Sequence, residues 1–271
     1  MASQLQIIKM NATEIKNRID KANGLDFGTL FNQSIELFKK VWVQGLVTLL
    51  LNVVLAIPVI MVIYIPMIFL GFAGAFTAAN NNDLINETGF SVLMMLLMFV
   101  FYIFIIVAMS TIALALKAAF YRICKLRDFE ELGKDDYFYF LKKAYLGKTI
   151  KLSLAFSGIA ILSAMMCFIP LIYALVPLSF IVVIYAFNPD LPIKDIIKLA
   201  FDLGNKKWLL SFGLMFISGF LAMVIGFLMC GFGVYITSSF GQLPSYFIYK
   251  GVVGFDDEDE QLRRINELSI L

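Results

Sequence analysis

The chain contains no histidine. Imidazole acid–base catalysis, histidine-bound metal and any Ser-His-Asp or Cys-His nucleophile are therefore excluded. Cysteine is sparse: Cys124, Cys167 and Cys230 stand far apart with no CxxC pair, so neither a zinc ribbon nor a thiol redox motif is present. They read as small apolar side chains. Glycine-rich phosphate loops of the usual spacing are missing as well. Charge is the most informative shortage. Asp, Glu, Lys and Arg make up only 15% of the 271 residues, where soluble domains carry about 25%. Segments 41–82, 88–116, 152–189 and 208–249 contain no charged residue at all.

What fills those segments is apolar. Hydrophobic residues reach 61%, against about 45–50% in soluble domains, and a membrane helix needs only about 20 consecutive apolar residues. The composition predicts an all-α polytopic membrane bundle. Between Val92 and Ile112 stand thirteen Ile, Leu, Val and Phe residues, a transfer gain of roughly −4 to −8 kcal/mol. The 152–189 and 208–249 runs are too long for one helix each. Pro170 interrupts the first; Gly226, Gly231 and Gly233 interrupt the second. Both read as helical hairpins, with a pair of re-entrant segments as the alternative. The 41–82 run holds Pro58 and Pro66 and fits either one long tilted, kinked helix or two short ones.

Charge asymmetry decides for one helix there. With six spans, at about 43–72, 90–116, 149–168, 171–188, 208–228 and 232–250, all 22 Lys and Arg fall on the same side of the membrane. Basic residues resist translocation, so that side, with both termini, is expected to be cytoplasmic in a cell inner membrane. The first 40 residues lack the apolar block and small-residue cleavage site of a signal peptide, so the first span is expected to serve as an uncleaved anchor.

A similar pattern precedes three of the spans: an amphipathic stretch, two lysines and an aromatic. It reads Phe27, Phe31, Ile35, Phe38 with Lys39, Lys40 and Trp42; then Phe138, Leu141 with Lys142, Lys143 and Tyr145; then Ile193, Ile196, Ile197, Ala200, Phe201 with Lys206, Lys207 and Trp208. Spacing by three and four places the apolar residues on one helical face. Lysine stems lie along apolar surface while their ammonium groups reach headgroups, and Trp or Tyr settles at the interface. These nine Lys and aromatic residues are the candidate membrane-interface anchors. The predicted unit is an interfacial amphipathic helix followed by a transmembrane hairpin, used three times.

The ends stand outside this unit. Residues 1–24 carry Leu5, Ile8, Ala12, Ile15, Ile19 and Ala22, an amphipathic helix expected to rest on the membrane or the connectors, with partner binding as the alternative. Residues 251–271 form an acidic tail, opening with Asp256, Asp257, Glu258, Asp259 and Glu260. Within the spans no ionisable residue stands away from the ends, which argues against a carboxylate proton relay or a voltage sensor. Pro58 and Pro66 are the candidate functional kinks, because broken helices free backbone groups for a substrate. The acidic residues of connector 125–151 alternate with lysines and match no metal-loop pattern. The sequence points to no catalytic residue, cofactor, metal or nucleic-acid partner. Lipids are the expected partners, with a protein docking through the cytoplasmic helices as a further one.

The segment Leu25-Asp26-Phe27-Gly28-Thr29-Leu30-Phe31, continuing through Ser34-Ile35-Glu36-Leu37-Phe38-Lys39-Lys40-Val41-Trp42, resembles an uncharacterised family of six-span bacterial membrane proteins of the Bacteroidota type. It is similar to the membrane domain attached to some glycerophosphodiester phosphodiesterases, over about residues 25–250. Relatives in that group are often labelled beta-carotene 15,15'-monooxygenase. Propeller-type carotenoid oxygenases hold iron with histidines, and the phosphodiesterase domain uses catalytic histidines, so neither activity fits a chain without any. The resemblance implies location and shape. The leading functional expectation is a non-enzymatic envelope scaffold or accessory subunit; the alternative is a transporter or lipid-handling protein.

Overall fold

The computed structural model describes residues 10–22, 24–79, 87–131, 133–166, 169–229, 231 and 233–255. All regular structure among them is helical: α1 (Ala12–Lys21), α2 (Phe27–Ala79), α3 (Glu87–Asp128), α4 (Lys143–Met165), α5 (Ile169–Phe187), α6 (Ile193–Lys206), α7 (Trp208–Leu228), α8 (Gly233–Thr237) and α9 (Leu243–Val252), with 3₁₀ turns at Tyr139–Leu141 and Phe240–Gln242. The acidic residues 256–260, residues 80–86, Cys167 and Cys230 lie outside the described residues.

Five helices are long and apolar enough to cross a membrane: Phe27–Val62, Met95–Asp128, Lys143–Met165, Pro170–Phe187 and Trp208–Leu228. The chain is an all-α bundle of membrane-spanning character. The sixth expected span, 232–250, is divided. It runs as the five-residue α8, a 3₁₀ turn and the ten-residue α9. Pro244, in the first turn of α9, has no N–H to give the Phe240 carbonyl, and its ring would clash with that group if the helix continued. Gly241 and the adjacent serines add little helix propensity to hold the segment together.

α2 and α3, at 53 and 42 residues, are about 80 and 63 Å long, roughly twice the hydrocarbon thickness or more. They pack on each other, and their far halves carry exposed apolar side chains, among them Val53, Val54, Met61, Phe72, Met95, Phe99 and Tyr102. Lipid is the solvent that such a surface requires. The near halves build the core. Ala115 to Cys124 of α3, Phe180 to Ala186 of α5, Ile196 to Leu203 of α6 and Tyr246 to Tyr249 of α9 supply most of its buried side chains. Hydroxyls stitch the helices together: Thr111 and Ser153 Oγ atoms lie 2.7 Å apart, Ser157 donates to Ser110 at 2.8 Å, and Thr149 meets the Tyr185 hydroxyl at 2.8 Å. Such bonds join helices where no hydrophobic difference between lipid and side chain drives association.

The three amphipathic stretches take different forms. The first is continuous with the first span in α2; nothing at Lys39 to Trp42 interrupts it. The second is reduced to the 3₁₀ turn before α4. Only the third is a helix of its own, α6. Its apolar face (Ile196, Leu199, Ala200, Leu203) is buried within the protein, where α5 and α1 pack on it. α1 starts with Asn11, whose side chain accepts the Glu14 amide at 2.8 Å, the usual N-cap arrangement. It buries Ile15 and Ile19. Arg18 donates to the Val253 carbonyl at 2.9 Å, and Lys206 donates to the Ile19 carbonyl at 2.7 Å. A lysine on the last carbonyls of a helix also complements its dipole.

Candidate functional site

Most of the anchor residues contact the protein itself. Lys39 pairs with Glu36 at 2.6 Å and Lys40 with Glu130 at 2.7 Å. Lys142 pairs with Asp136 and stands over the Tyr139 ring. The Tyr139 and Tyr145 hydroxyls are 3.0 Å apart. Lys206 caps α1, Lys207 is half-buried between α6 and α7, and Trp208 donates its indole N–H to the Tyr173 carbonyl at 3.1 Å. Burial first, and then the neighbouring Lys206 ammonium, hold Lys207 below the ordinary lysine range. Lys143 and Trp42 remain exposed. These intramolecular pairings join the connectors to the helices, and Lys39, Lys40 and Lys142 stay largely exposed beside them.

Pro58 and Pro66 lie inside α2, which is helical from end to end. The interruption that opens a cavity is elsewhere, at the division of the last apolar segment. There α2, α3 and the turn between α8 and α9 enclose a crevice of ≈ 270 Å³. Gly45, Thr48, Leu49 and Asn52 of α2 line one side, Ala113, Leu116, Lys117 and Phe120 of α3 a second, and Ser238, Ser239 and Gln242 the third. On α2 and α3 these residues recur at spacings of three and four, which is why each helix presents them together. α2 can approach the turn only because residue 45 is glycine: a Cβ there would lie 2.4 Å from the Ser239 Cβ.

The chemistry of the crevice is unequal to its own needs. Ser239 Oγ and Gln242 Oε1 are buried with no hydrogen-bond partner, and Ser239 as a residue is only 3% exposed. Buried polar atoms in native proteins are ordinarily paired, so each such atom calls for a partner. Thr48 donates back to the Gln44 carbonyl at 2.7 Å and Ser238 to the Tyr235 carbonyl at 3.0 Å. Lys117 is half-buried among them. No salt bridge or hydrogen bond is made by Lys117 among the described residues. The nearest carboxylate on its helix is Asp128, about 16 Å further along, and that group already accepts from Tyr246 (2.7 Å) and Lys250.

A second cavity, of ≈ 180 Å³, lies at the charged end of the bundle, lined by Met10, Arg122, Lys125, Leu126, Glu131, Phe187 and Phe255. Here the cations are satisfied: Arg122 stands 3.9 Å over the Tyr139 ring and Lys125 4.7 Å from the centre of Phe255. Glu131 adds an opposing charge. Nearby, Arg127 holds Asp135 at 3.0 Å. Among the described residues no group of three or more His, Cys, Asp or Glu side chains is placed to hold a metal.

In the sequence Lys117 directly follows the second expected span, 90–116. The signals that locate the crevice were present: Ser238-Ser239, Gly241 and Pro244 in succession, and a lysine at the apolar boundary. The distance in sequence from Gly45 to Ser239 hid their meeting. Compared with models of known protein families, with curated proteins and with solved structures, the chain has no match.

Proposed function

We propose that the protein is a multi-pass protein of a bacterial inner membrane that binds a membrane-resident amphiphile in the crevice between α2, α3 and the α8–α9 turn. The observation that carries this reading is the unpaired set Lys117, Ser239 and Gln242, lining a crevice at the end of a lipid-facing apolar helix pair. Irregular backbone at membrane depth is tolerated where it lines a cavity, and such breaks are where membrane proteins bind their ligands. With six spans all 22 Lys and Arg fall on one side; that count supports cytoplasmic termini, and the crevice then opens near the cytoplasmic leaflet.

The scaffold reading has less support. A docking face built from the amphipathic helices would need their apolar sides free, and Ile15, Ile19, Ile196, Leu199 and Leu203 are buried inside the protein. Mass spectrometry of the protein released from native-membrane discs tests the two readings. Retention of a defined lipid class is expected; a stoichiometric protein partner with no retained lipid would favour the scaffold.

A further inference from the structure

We infer that the crevice recognises an anionic group, the phosphate or carboxylate of an amphiphile's head, with Lys117 as its cation and Asn52 and Ser239 as neutral donors. This rests on the reading of the crevice as an amphiphile site and adds the chemistry of the occupant. Three independent features of the site lead to it.

The first is charge. Among the described residues, Lys117 is the only charged one lining the crevice. No carboxylate lies on α8 or α9, and the nearest on α2, Glu36, pairs with Lys39. An ammonium in a weakly polar surrounding with no protein counterion favours an anion strongly, because attraction grows as the local dielectric falls. The second is donor capacity. Ser239 has an O–H with no acceptor. The Asn52 amide lines the same space and makes no hydrogen bond among the described residues. Two neutral donors and an ammonium match the several acceptor oxygens of a phosphate or the two of a carboxylate. Gln242, whose buried Oε1 is also unpartnered, lines the same space.

The third is the apolar boundary. Leu49, Leu116 and Phe120 line the crevice beside the polar groups. Leu50, Val53 and Val54 continue outward on α2, and Val234 and Tyr235 on α8, all exposed. A small inorganic ion would leave that apolar surface uncovered. An acyl chain leaving the anionic head would run along it, with hydrocarbon on both sides.

The test uses the full chain in lipid discs containing equal amounts of phosphatidylglycerol and phosphatidylcholine, one or the other carrying a photoactivatable acyl chain. Adducts are mapped to peptides. For the natural protein we expect labelling of peptides covering Leu49–Asn52 and Ser238–Gln242, with phosphatidylglycerol favoured about fivefold, the preference one headgroup-level lysine supplies. Lys117→Gln should abolish that preference, and Lys117→Arg, which keeps the charge, should retain it. Equal labelling by both lipids, unchanged in Lys117→Gln, would overturn the anionic inference while leaving the amphiphile site intact. No labelling of either peptide by either lipid would overturn the site itself. Addition of inorganic phosphate separates the two sources of the anion. Undiminished labelling supports a lipid headgroup; displacement of phosphatidylglycerol by phosphate would overturn the lipid assignment in favour of a soluble anion.

Discussion

Gly45 of α2 and Ser239 of the α8–α9 turn are in direct contact, so close that a Cβ on residue 45 would fall 2.3 Å from the serine hydroxyl oxygen. This contact joins the first membrane helix to the division of the last apolar segment and sets the floor of the crevice. Gly45→Ala must push the turn away, and overpacking of this kind costs about 1–3 kcal/mol. The expected outcome is a lowered unfolding midpoint in detergent. The double variant Gly45→Ala, Ser239→Gly should recover most of it. An unchanged midpoint in Gly45→Ala would show that the contact is not maintained.

Asp128 closes α3 onto α9 by accepting from both Tyr246 and Lys250. The pair with Lys250 is largely shielded, with side-chain exposures of 16% and 26%. Hydrogen bonds to a charged group are worth about 1.5–3 kcal/mol each when one partner is deleted. Asp128→Asn is expected to destabilise the bundle by about 2 kcal/mol, and a double-mutant cycle with Tyr246→Phe should show coupling above about 0.5 kcal/mol. Strict additivity would mean that the two groups do not interact.

The Lys40–Glu130 pair ties α2 to the connector, and the lysine's hydrogen bond and charge hold the Glu130 carboxyl below the ordinary glutamate range. A lowered folded-state pKa means that the folded chain binds its proton less readily than the unfolded chain. The pair therefore contributes above the unfolded value near 4.5, and its contribution is lost as pH falls through the folded value. Melting curves of the natural protein and Glu130→Gln should differ slightly at neutral pH and converge in acid. A gap that widens below pH 4 would contradict the assignment.

The lysine and arginine distribution predicts topology directly. A cysteine introduced at Asn81 should react with an impermeant thiol reagent added outside intact cells, and one at Lys134 should react only after the membrane is opened. Labelling of residue 134 from outside would invert the orientation.

The proposed site is the crevice and does not include the proline pair. Pro58→Ala with Pro66→Ala should leave lipid labelling of the 238–242 peptide within about twofold of the natural level, as population arithmetic on a sub-half-kcal/mol change requires. Loss of labelling in an inserted, folded double variant would move the site into α2.

Much of the molecule is legible in its sequence. The charge-free runs dictated apolar helices because only helices satisfy every backbone group in hydrocarbon, and α7 begins at Trp208 and ends at Leu228 as the flanking lysines and glycines imply. Gly231, with a φ of +80°, makes the turn that its lack of a Cβ permits, and Gly226 lets Val234 of the returning chain pack directly against α7. The amphipathic period of 193–206 was equally visible, and α6 forms there.

What the period left open was the surface that covers each apolar face. Ile196 and Leu199 satisfy a membrane interface or a protein core equally well, because both are apolar; α5 and α1 occupy that face in the folded chain. Lys206 satisfies a lipid phosphate or a helix carbonyl equally well, and in the fold it meets Ile19. The crevice was the least legible feature. Gly45, Lys117 and Ser239 are ordinary residues in their own segments, and their significance comes from meeting. Local sequence determined that this chain is a bundle of apolar helices with its cations confined to the segments around the uncharged runs. Tertiary packing alone decided that one of those cations stands beside unpaired polar groups, because close approach of distant segments depends on shape, which hydropathy and period do not encode.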